Sequence, residues 1–406
     1  MLLSSQCPHA KFDFVNKSLL EMMDKSSTRR IPLQSPFITD EDRRSVFEAI
    51  SSDQVAGSGP ICKEVEAEIS RIVGSRYVFL TTSCTHALEL SALSLDLKPG
   101  DEVILPSFTF TSTANAFLLR DAKLIFADID PVTFNLDPDD VKKRITPRTK
   151  VIVLVHYAGM PCDMEAFQKI ARDHGLALVE DAAQAVDSQW QGRYLGTIGA
   201  IGCFSFHSTK NITCGEGGAF LTDDAGIAER ADVMREKGTN RHAFLRGEID
   251  RYSWVDSGSS YVLSDLLASL LRSQLANRAT IKALRKRIWH RYLDVLSPLQ
   301  DKHGLTLPTI PAGADPNYHL FPFLVSGAQR RSVVLDYLHR AGIGATFHYV
   351  PLHSAPCMLK RGEPVDDLPV TTMVSERLIR LPLFPGLRDE DLTRVLDGVV
   401  RALDQK

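Results

Sequence analysis

The feature that most limits what this chain can fold into is a succession of short, uninterrupted apolar segments divided by stretches of helical periodicity. YVFL, EVILP, KLIFADI, VIVLVHY, ALVEDA, GCFSFH and GGAFLTD read as strands. EDRRSVFEAI, ICKEVEAEISRIV, THALELSALSL, TSTANAFLLR and DMEAFQKIARDHG read as helices, with Val65, Ile69 and Ile72 on one face of the second. A strand with one solvated face alternates apolar and polar residues; a strand covered by helices on both faces does not. The pattern predicts an α/β fold with a mostly parallel, doubly covered central sheet. Thr39, followed three residues later by Asp42, predicts a capped helix start in which Asp stands where Glu is usual.

At 406 residues the chain is longer than one hydrophobic core usually serves. A long helical region is expected over residues 263–296. After PTIPAGADPN the pattern changes to LFPFLVS, RRSVVLDYLHRAG and ATFHYV. We divide the chain into an N-terminal extension (1–30), a large domain (31–279) and a smaller C-terminal α+β domain (280–406). A net charge of −3 offers no basic surface for nucleic acid or an acidic membrane. No apolar run reaches the ~18 residues of a membrane span. MLLSSQCPHAKFDF lacks the basic-then-apolar order of a signal peptide. The seven cysteines form no CxxC pair, which suits reduced thiols in the cytoplasm rather than a disulfide frame or a zinc site, so no metal is expected.

Ligands of open α/β sheets bind beyond the carboxyl ends of the strands, and the chemistry-bearing residues fall there. Ser83, Cys84 and Thr85 stand where a strand gives way to a helix, whose free N–H groups suit a phosphate or serve an ordinary cap. Asp181 ends a strongly apolar strand and needs a partner there. Lys210 follows another strand and precedes the cluster Gly215, Gly217 and Gly218. Taken singly, each reads more readily as a structural residue. Together they match the demands of pyridoxal phosphate: a lysine for its Schiff base and a carboxylate that keeps its ring nitrogen protonated. Ser83–Thr85 with Ser205 could cup the phosphate, and Phe110 in SFTFTST could lie over the ring. The glycines would let the backbone turn closely beside the cofactor. No GxGxxG follows the first strand, which argues against a nicotinamide dehydrogenase.

From Ile31 to the C-terminus the chain resembles the DegT/DnrJ/StrS sugar-nucleotide aminotransferases of fold type I, the aspartate-aminotransferase-like fold. PSFTFTSTANA, VHYAGMPCDM, VEDAAQA, GCFSFHSTKNITCGEGG and LPLFPGL carry the likeness. REKGTNRHAFLRGEIDRYSW, GSSYVLSDL and FHYVPLH make it most similar to the dTDP-4-amino-4,6-dideoxygalactose transaminases. The resemblance implies a large domain binding pyridoxal 5′-phosphate and a small C-terminal domain. It implies Lys210 as the Schiff-base lysine, Asp181 on the pyridine nitrogen and Gln184 at the phenolic oxygen. Ser205, Cys84 and Thr85 fall at the phosphate, and Phe110 stacks on the ring. Many relatives have glycine where Cys84 stands. Many have asparagine at the position of Ser260, reaching the phosphate in the neighbouring subunit; the shorter serine weakens that transfer. His348, Tyr349 and His353 fall at the sugar pocket. Arg241, Arg246 and Lys237 are candidates for the diphosphate or members of a solvated basic loop.

The activity so implied passes the amino group of L-glutamate, leaving 2-oxoglutarate, to C4 of dTDP-4-dehydro-6-deoxy-D-glucose, with pyridoxamine phosphate between the two halves. The partners expected are the dTDP-sugar, the amino acid and a second copy of the chain in a cytoplasmic homodimer, with neither nucleic acid nor membrane. A pyridoxamine-dependent sugar dehydratase of this fold would carry histidine where Lys210 stands. A non-catalytic sugar-nucleotide binder would not need the set Asp181, Gln184 and Lys210. An axial or equatorial amine at C4, the nucleotide and the pathway stay open.

Overall fold

In the computed structural model, residues 29–53, 55–362 and 366–405 are described. Most of the expected N-terminal extension lies outside them. The first helix, α1 (Asp40–Ser51), carries the full capping box: the Thr39 amide donates to Asp42 at 2.7 Å and the Asp42 amide donates to Thr39 Oγ1 at 3.3 Å. Helix α2 (Pro60–Val73) buries Val65 and Ile69, and Ile72 packs at the margin of the same core.

A seven-stranded sheet follows. Its strands are β1 (Tyr77–Thr81), β2 (Glu102–Pro106), β3 (Lys123–Ala127), β4 (Thr149–Val155), β5 (Ala177–Asp181), β6 (Ile201–Ser205) and β7 (Gly218–Thr222). In space their order is β1-β7-β6-β5-β4-β2-β3. The pairs from β6 through β3 are parallel, and β7 runs antiparallel between β6 and β1. Helices cover both faces. Ile104, Ile152, Leu154 and Leu178 point into one core, with α2, α5 (Met164–His174) and α7 (Asp265–Ala276). Their strand neighbours Val103, Leu105, Val153 and Val179 point into the other, with α3 (Cys84–Ser94), α4 (Thr111–Leu118) and α6 (Ala225–Arg235). Successive strand residues face opposite ways, so two covered faces require both sets to be apolar. This is the physical origin of the uninterrupted runs.

The helical region expected over 263–296 is two helices. Asn277, at φ −91° and ψ 2°, breaks it between α7 and α8 (Arg278–Leu296). A separate core gathers Trp289 and Tyr292 of α8, Phe323 of β8 (Pro322–Leu324), Leu338 of α9 (Ala328–Arg340), Ile379 of β9 (Leu378–Arg380) and Val399 of α10 (Asp389–Leu403). Ile31 also packs into it, bridged to Ile343 by hydrogen bonds of 2.8 Å. ATFHYV forms no continuous strand; only Thr346 bridges to Arg380. No helix among the described residues is long and apolar enough to cross a membrane.

One buried acid ties β5 to the loop before β6. Glu180 accepts from the amides of Gly196 (2.7 Å), Ile198 (2.6 Å) and Gly199 (2.5 Å) and from His156 Nε2 (2.8 Å). The Cys162 amide donates to His156 Nδ1, which leaves the ring's proton on Nε2. Burial acts to raise the Glu180 carboxyl, but the His156 ring and the Gly199 and Gly196 amides outweigh it and hold it below its ordinary range. Because the folded value is depressed, this stabilisation is present above the ordinary carboxylate range and is lost as pH falls through the folded value. Glu180→Gln should destabilise the protein by about 3–5 kcal/mol near neutral pH. Urea midpoints measured against pH should show the wild-type advantage shrinking as the solution is acidified.

Candidate active site

The carboxyl edge of the sheet opens into a cleft of about 410 Å³. Asp181, the last residue of β5, lines it; Glu180 faces the opposite side of the strand. Thr113 Oγ1 donates to Asp181 Oδ2 at 2.7 Å, and the Ala183 amide donates to Oδ1 at 3.2 Å. Thr109 Oγ1 lies 2.8 Å from Thr113 Oγ1 and is its donor, since the Thr113 proton is already engaged. No cation pairs with Asp181 among the described residues. Burial raises its pKa, against the pull of Thr113, the Ala183 amide and Lys210.

Lys210 follows β6, the neighbour of β5, in a turn closed by its own amide donating to the His207 carbonyl at 2.8 Å. Its amine opens to the cleft and makes no hydrogen bond or ion pair among the described residues. Dense packing around it lowers its pKa; Cys84 and Asp181 oppose that shift and Arg380 adds to it. The next residue, Asn211, is fixed by two bonds of 2.8 Å, from its Nδ2 to the Asn317 carbonyl and from His319 Nδ1 to its Oδ1. The segment carrying the lysine is therefore held on both sides.

Helix α3 begins at the cleft. Ser83 Oγ accepts from the His86 amide at 3.2 Å, while the earlier first-turn amides of Cys84 and Thr85 have no helical carbonyl to meet. Thr85 Oγ1 lies 2.7 Å from Ser112 Oγ, which ties this helix start to α4. The glycines after Lys210 divide their work. Gly215 takes φ +89° in the turn. At Gly218 a Cβ would lie 2.4 Å from the Ser83 carbonyl carbon and 2.5 Å from the Cys84 nitrogen, so β7 can pass the helix start only as glycine.

Ser205, Gln184, His348 and Tyr349 also line the cleft, as does Phe110, 60% exposed at its mouth. The Gln184 amide is used at both ends, accepting from the Ala158 amide and donating to the Tyr349 hydroxyl, each at 2.8 Å. His348 stacks on Tyr349 with ring centroids 3.9 Å apart. The other expected residues stand outside this chain's cleft. His353 bonds Ser107 Oγ through Nδ1 at 2.7 Å. Ser260 is exposed and bridges to Glu236 through the backbone. Arg241 and Lys237 pair with Glu236, and Arg246 pairs with Glu248 and Asp232. Sequence reading passed over Thr113, His319 and Arg380, all brought into or against the cleft. A buried threonine gives no sequence signal; a lone arginine in the apolar stretch LIRLPLF does. No His, Cys, Asp and Glu group among the described residues could hold a metal.

Residues 36–400 match the DegT/DnrJ/EryC1/StrS aminotransferase family model. The chain is 34% identical to the spore coat polysaccharide biosynthesis protein SpsC of Bacillus subtilis, over 91% of this chain and 96% of that protein. The structure is similar to that of an aminotransferase, TlmJ, from Streptoalloteichus hindustanus (TM-score 0.85, 33% identity, covering 92% of this chain and 98% of that one). It is also similar to the putative sugar aminotransferase Spr1654 of Streptococcus pneumoniae, solved in pyridoxal and pyridoxamine phosphate forms; the latter gives a TM-score of 0.86 at 26% identity, over 92% and 99% of the chains.

The electrostatics yield a test that needs no turnover. In cofactor-free protein dimethylated with ¹³C at lysines, the Lys210 resonance should titrate below that of exposed lysines. Asp181→Asn removes a group that raises the Lys210 pKa, so it should move the midpoint lower still. A midpoint at the ordinary lysine value would contradict the geometry.

Proposed function

The chain belongs to the DegT/DnrJ/EryC1/StrS aminotransferase family, whose members depend on pyridoxal 5′-phosphate, and from that premise we propose that it transfers the amino group of L-glutamate to C4 of dTDP-4-dehydro-6-deoxy-D-glucose. The observation that carries this reading is the placing of an unbonded lysine amine and a buried carboxylate without a cation at neighbouring strand ends of one cleft. These residues fit the cofactor: the carboxylate lacks the cation that a protonated ring nitrogen would supply, and the α3 start offers amides to a phosphate.

When bound, pyridoxal phosphate supplies the electron sink and the carbonyl that carries the amino group from one substrate to the other. Asp181, steadied by Thr113 and the Ala183 amide, would keep the proton on the ring nitrogen. The Cys84 and Thr85 amides, with the Ser83 and Ser205 hydroxyls, would hold the phosphate. Phe110 would cover the ring from the mouth of the cleft, and Gln184, clamped between Ala158 and Tyr349, would pack against it. Lys210 would hold the cofactor and could carry a proton at the substrate carbon; the lowering of its pKa by burial acts in favour of the neutral amine that such a role needs. His348 and Tyr349 bound the space for the sugar.

Ser260, Arg241, Arg246 and His353 serve the same reading through a second copy of the chain. They stand outside this chain's cleft, and Ser260, Arg241 and Arg246 belong to a segment whose exposed aromatic residues, including Trp254 (78% exposed), call for cover. The reading includes a cytoplasmic homodimer that shares its sites across the interface.

An absorbance scan before and after adding L-glutamate tests the reading: the pyridoxal band should give way to the pyridoxamine band, and an unchanged band would remove glutamate or the transaminase class. Lys210→Ala should lower turnover by a factor on the order of 10⁴ or more while leaving the fold intact. Asp181→Asn should keep the cofactor bound but slow turnover by a factor on the order of 10²–10³, read from steady-state rates.

A further inference from the structure

Asn211, the residue after Lys210, orients an imidazole. Its Nδ2 donates to the Asn317 carbonyl at 2.8 Å, which turns its Oδ1 to His319 Nδ1, also at 2.8 Å. The ring proton therefore sits on Nδ1, and Nε2, across the ring, keeps a lone pair. His319 is only 4% exposed and lines the cleft, yet no donor meets Nε2 among the described residues. The backbone that carries the ring is held at a cost. Tyr318 takes φ +56°, a conformation that a tyrosine rarely adopts. Arg285 holds it there, donating from Nε to the Tyr318 carbonyl at 3.1 Å and from Nη2 to the His319 carbonyl at 2.5 Å. Asn317 Nδ2 adds bonds to the Gln184 and Val186 carbonyls at 2.9 and 2.8 Å. A fixed ring thus offers the cleft one free acceptor.

We infer that His319 is a positioning residue whose Nε2 accepts from the Lys210 ammonium while that lysine carries a proton. The groups facing the ring are Lys210, Arg285, Arg380 and His348. Burial, and then the three cations, push the imidazole well below the ordinary histidine value, so it stays a neutral acceptor and does not take the proton itself. Arg285 is spent on the two carbonyls, and Arg380 gives Nη2 to the Phe347 carbonyl at 3.1 Å. Lys210 alone of the three makes no bond, and its flexible stem starts beside Asn211. Cys84 and Asp181 also face the lysine. Burial pushes Cys84 up, so it stays a thiol, and Asp181 belongs to the ring nitrogen on the transaminase reading. An acceptor for the charged amine favours that form, and a fixed one also aims it. His319 would so hold the proton-bearing lysine at one place in the cleft.

The proton-carrying role of Lys210 rests on the transaminase reading, so one arm of the test does without the cofactor. In cofactor-free protein dimethylated with ¹³C at lysines, His319→Leu should move the Lys210 midpoint below the wild-type value, because the charged form loses its acceptor. A merely structural role would move it the other way, since a loosened wall admits water and lifts the midpoint towards that of exposed lysines. An unchanged or higher midpoint overturns the inference. His319→Gln, whose amide can still accept, should fall between the two and serves if the leucine variant does not fold. In wild type labelled with ¹⁵N at histidines, His319 Nε2 should be unprotonated, and its resonance should move as Lys210 titrates but stay still in Lys210→Ala. A proton on Nε2 overturns the inference. In the second arm, pyridoxal-loaded proteins are mixed with L-glutamate and followed by absorbance through a single turnover. His319→Leu should slow the loss of the pyridoxal band about 10- to 100-fold while leaving the half-saturating glutamate concentration unchanged. A change confined to half-saturation, or to the sugar half-reaction, overturns the inference. If glutamate leaves the wild-type band unchanged while His319 still sets the Lys210 midpoint, the pairing of His319 with Lys210 stands and the transaminase reading falls.

Discussion

Two adjoining carboxylates on β5 organise this molecule. Strand geometry sends Glu180 and Asp181 to opposite faces of the sheet. Glu180 meets three backbone amides and the His156 ring, and so fixes the loop that leads into β6. Asp181 meets two hydrogen-bond donors but no cation, and it opens to the cleft. The first acid is fully compensated and structural. The second is under-compensated, which is the condition under which a buried carboxylate has more to gain from a ligand than from the protein.

The same division between satisfied and unsatisfied groups marks out the rest of the site. Asn211, Asn317 and Gln184 use their amides on neighbouring segments and make the cleft wall rigid. Lys210 and Arg380 keep unpartnered nitrogen groups, and the α3 start keeps unpaired amides. Groups left unpaired on a fixed frame are what a charged ligand could meet without disturbing that frame. Gly218 belongs to that frame: its missing side chain lets β7 pass within contact of the helix start, and so sets where a phosphate can lie relative to the lysine that closes the β6–β7 connection.

Legibility in the sequence followed the range of the interactions. The α/β alternation, the capping box at Thr39 and the apolar runs are local and were read without a structure. Asp181, Lys210 and Ser83–Thr85 were legible because strand ends are local features and one fold rule sends them to the same edge. Thr113 was not legible, since its value depends on β5 lying beside the start of α4. Arg380 left a faint mark, a charge in an apolar strand, but nothing local said which cavity it would enter. The break at Asn277 was also missed, because an asparagine in a leucine- and arginine-rich stretch does not by itself end a helix.

The sequence by itself determined the sheet, its two covered faces and the acid and amine at its strand ends, because periodicity and strand-end chemistry act over a few residues. Only the tertiary structure decided which groups end without partners. The accounting of hydrogen bonds and charges at Asp181, Lys210 and Arg380 closes only when segments some two hundred residues apart are brought together, and what is left unpaired after that closure is what the cleft can offer a ligand.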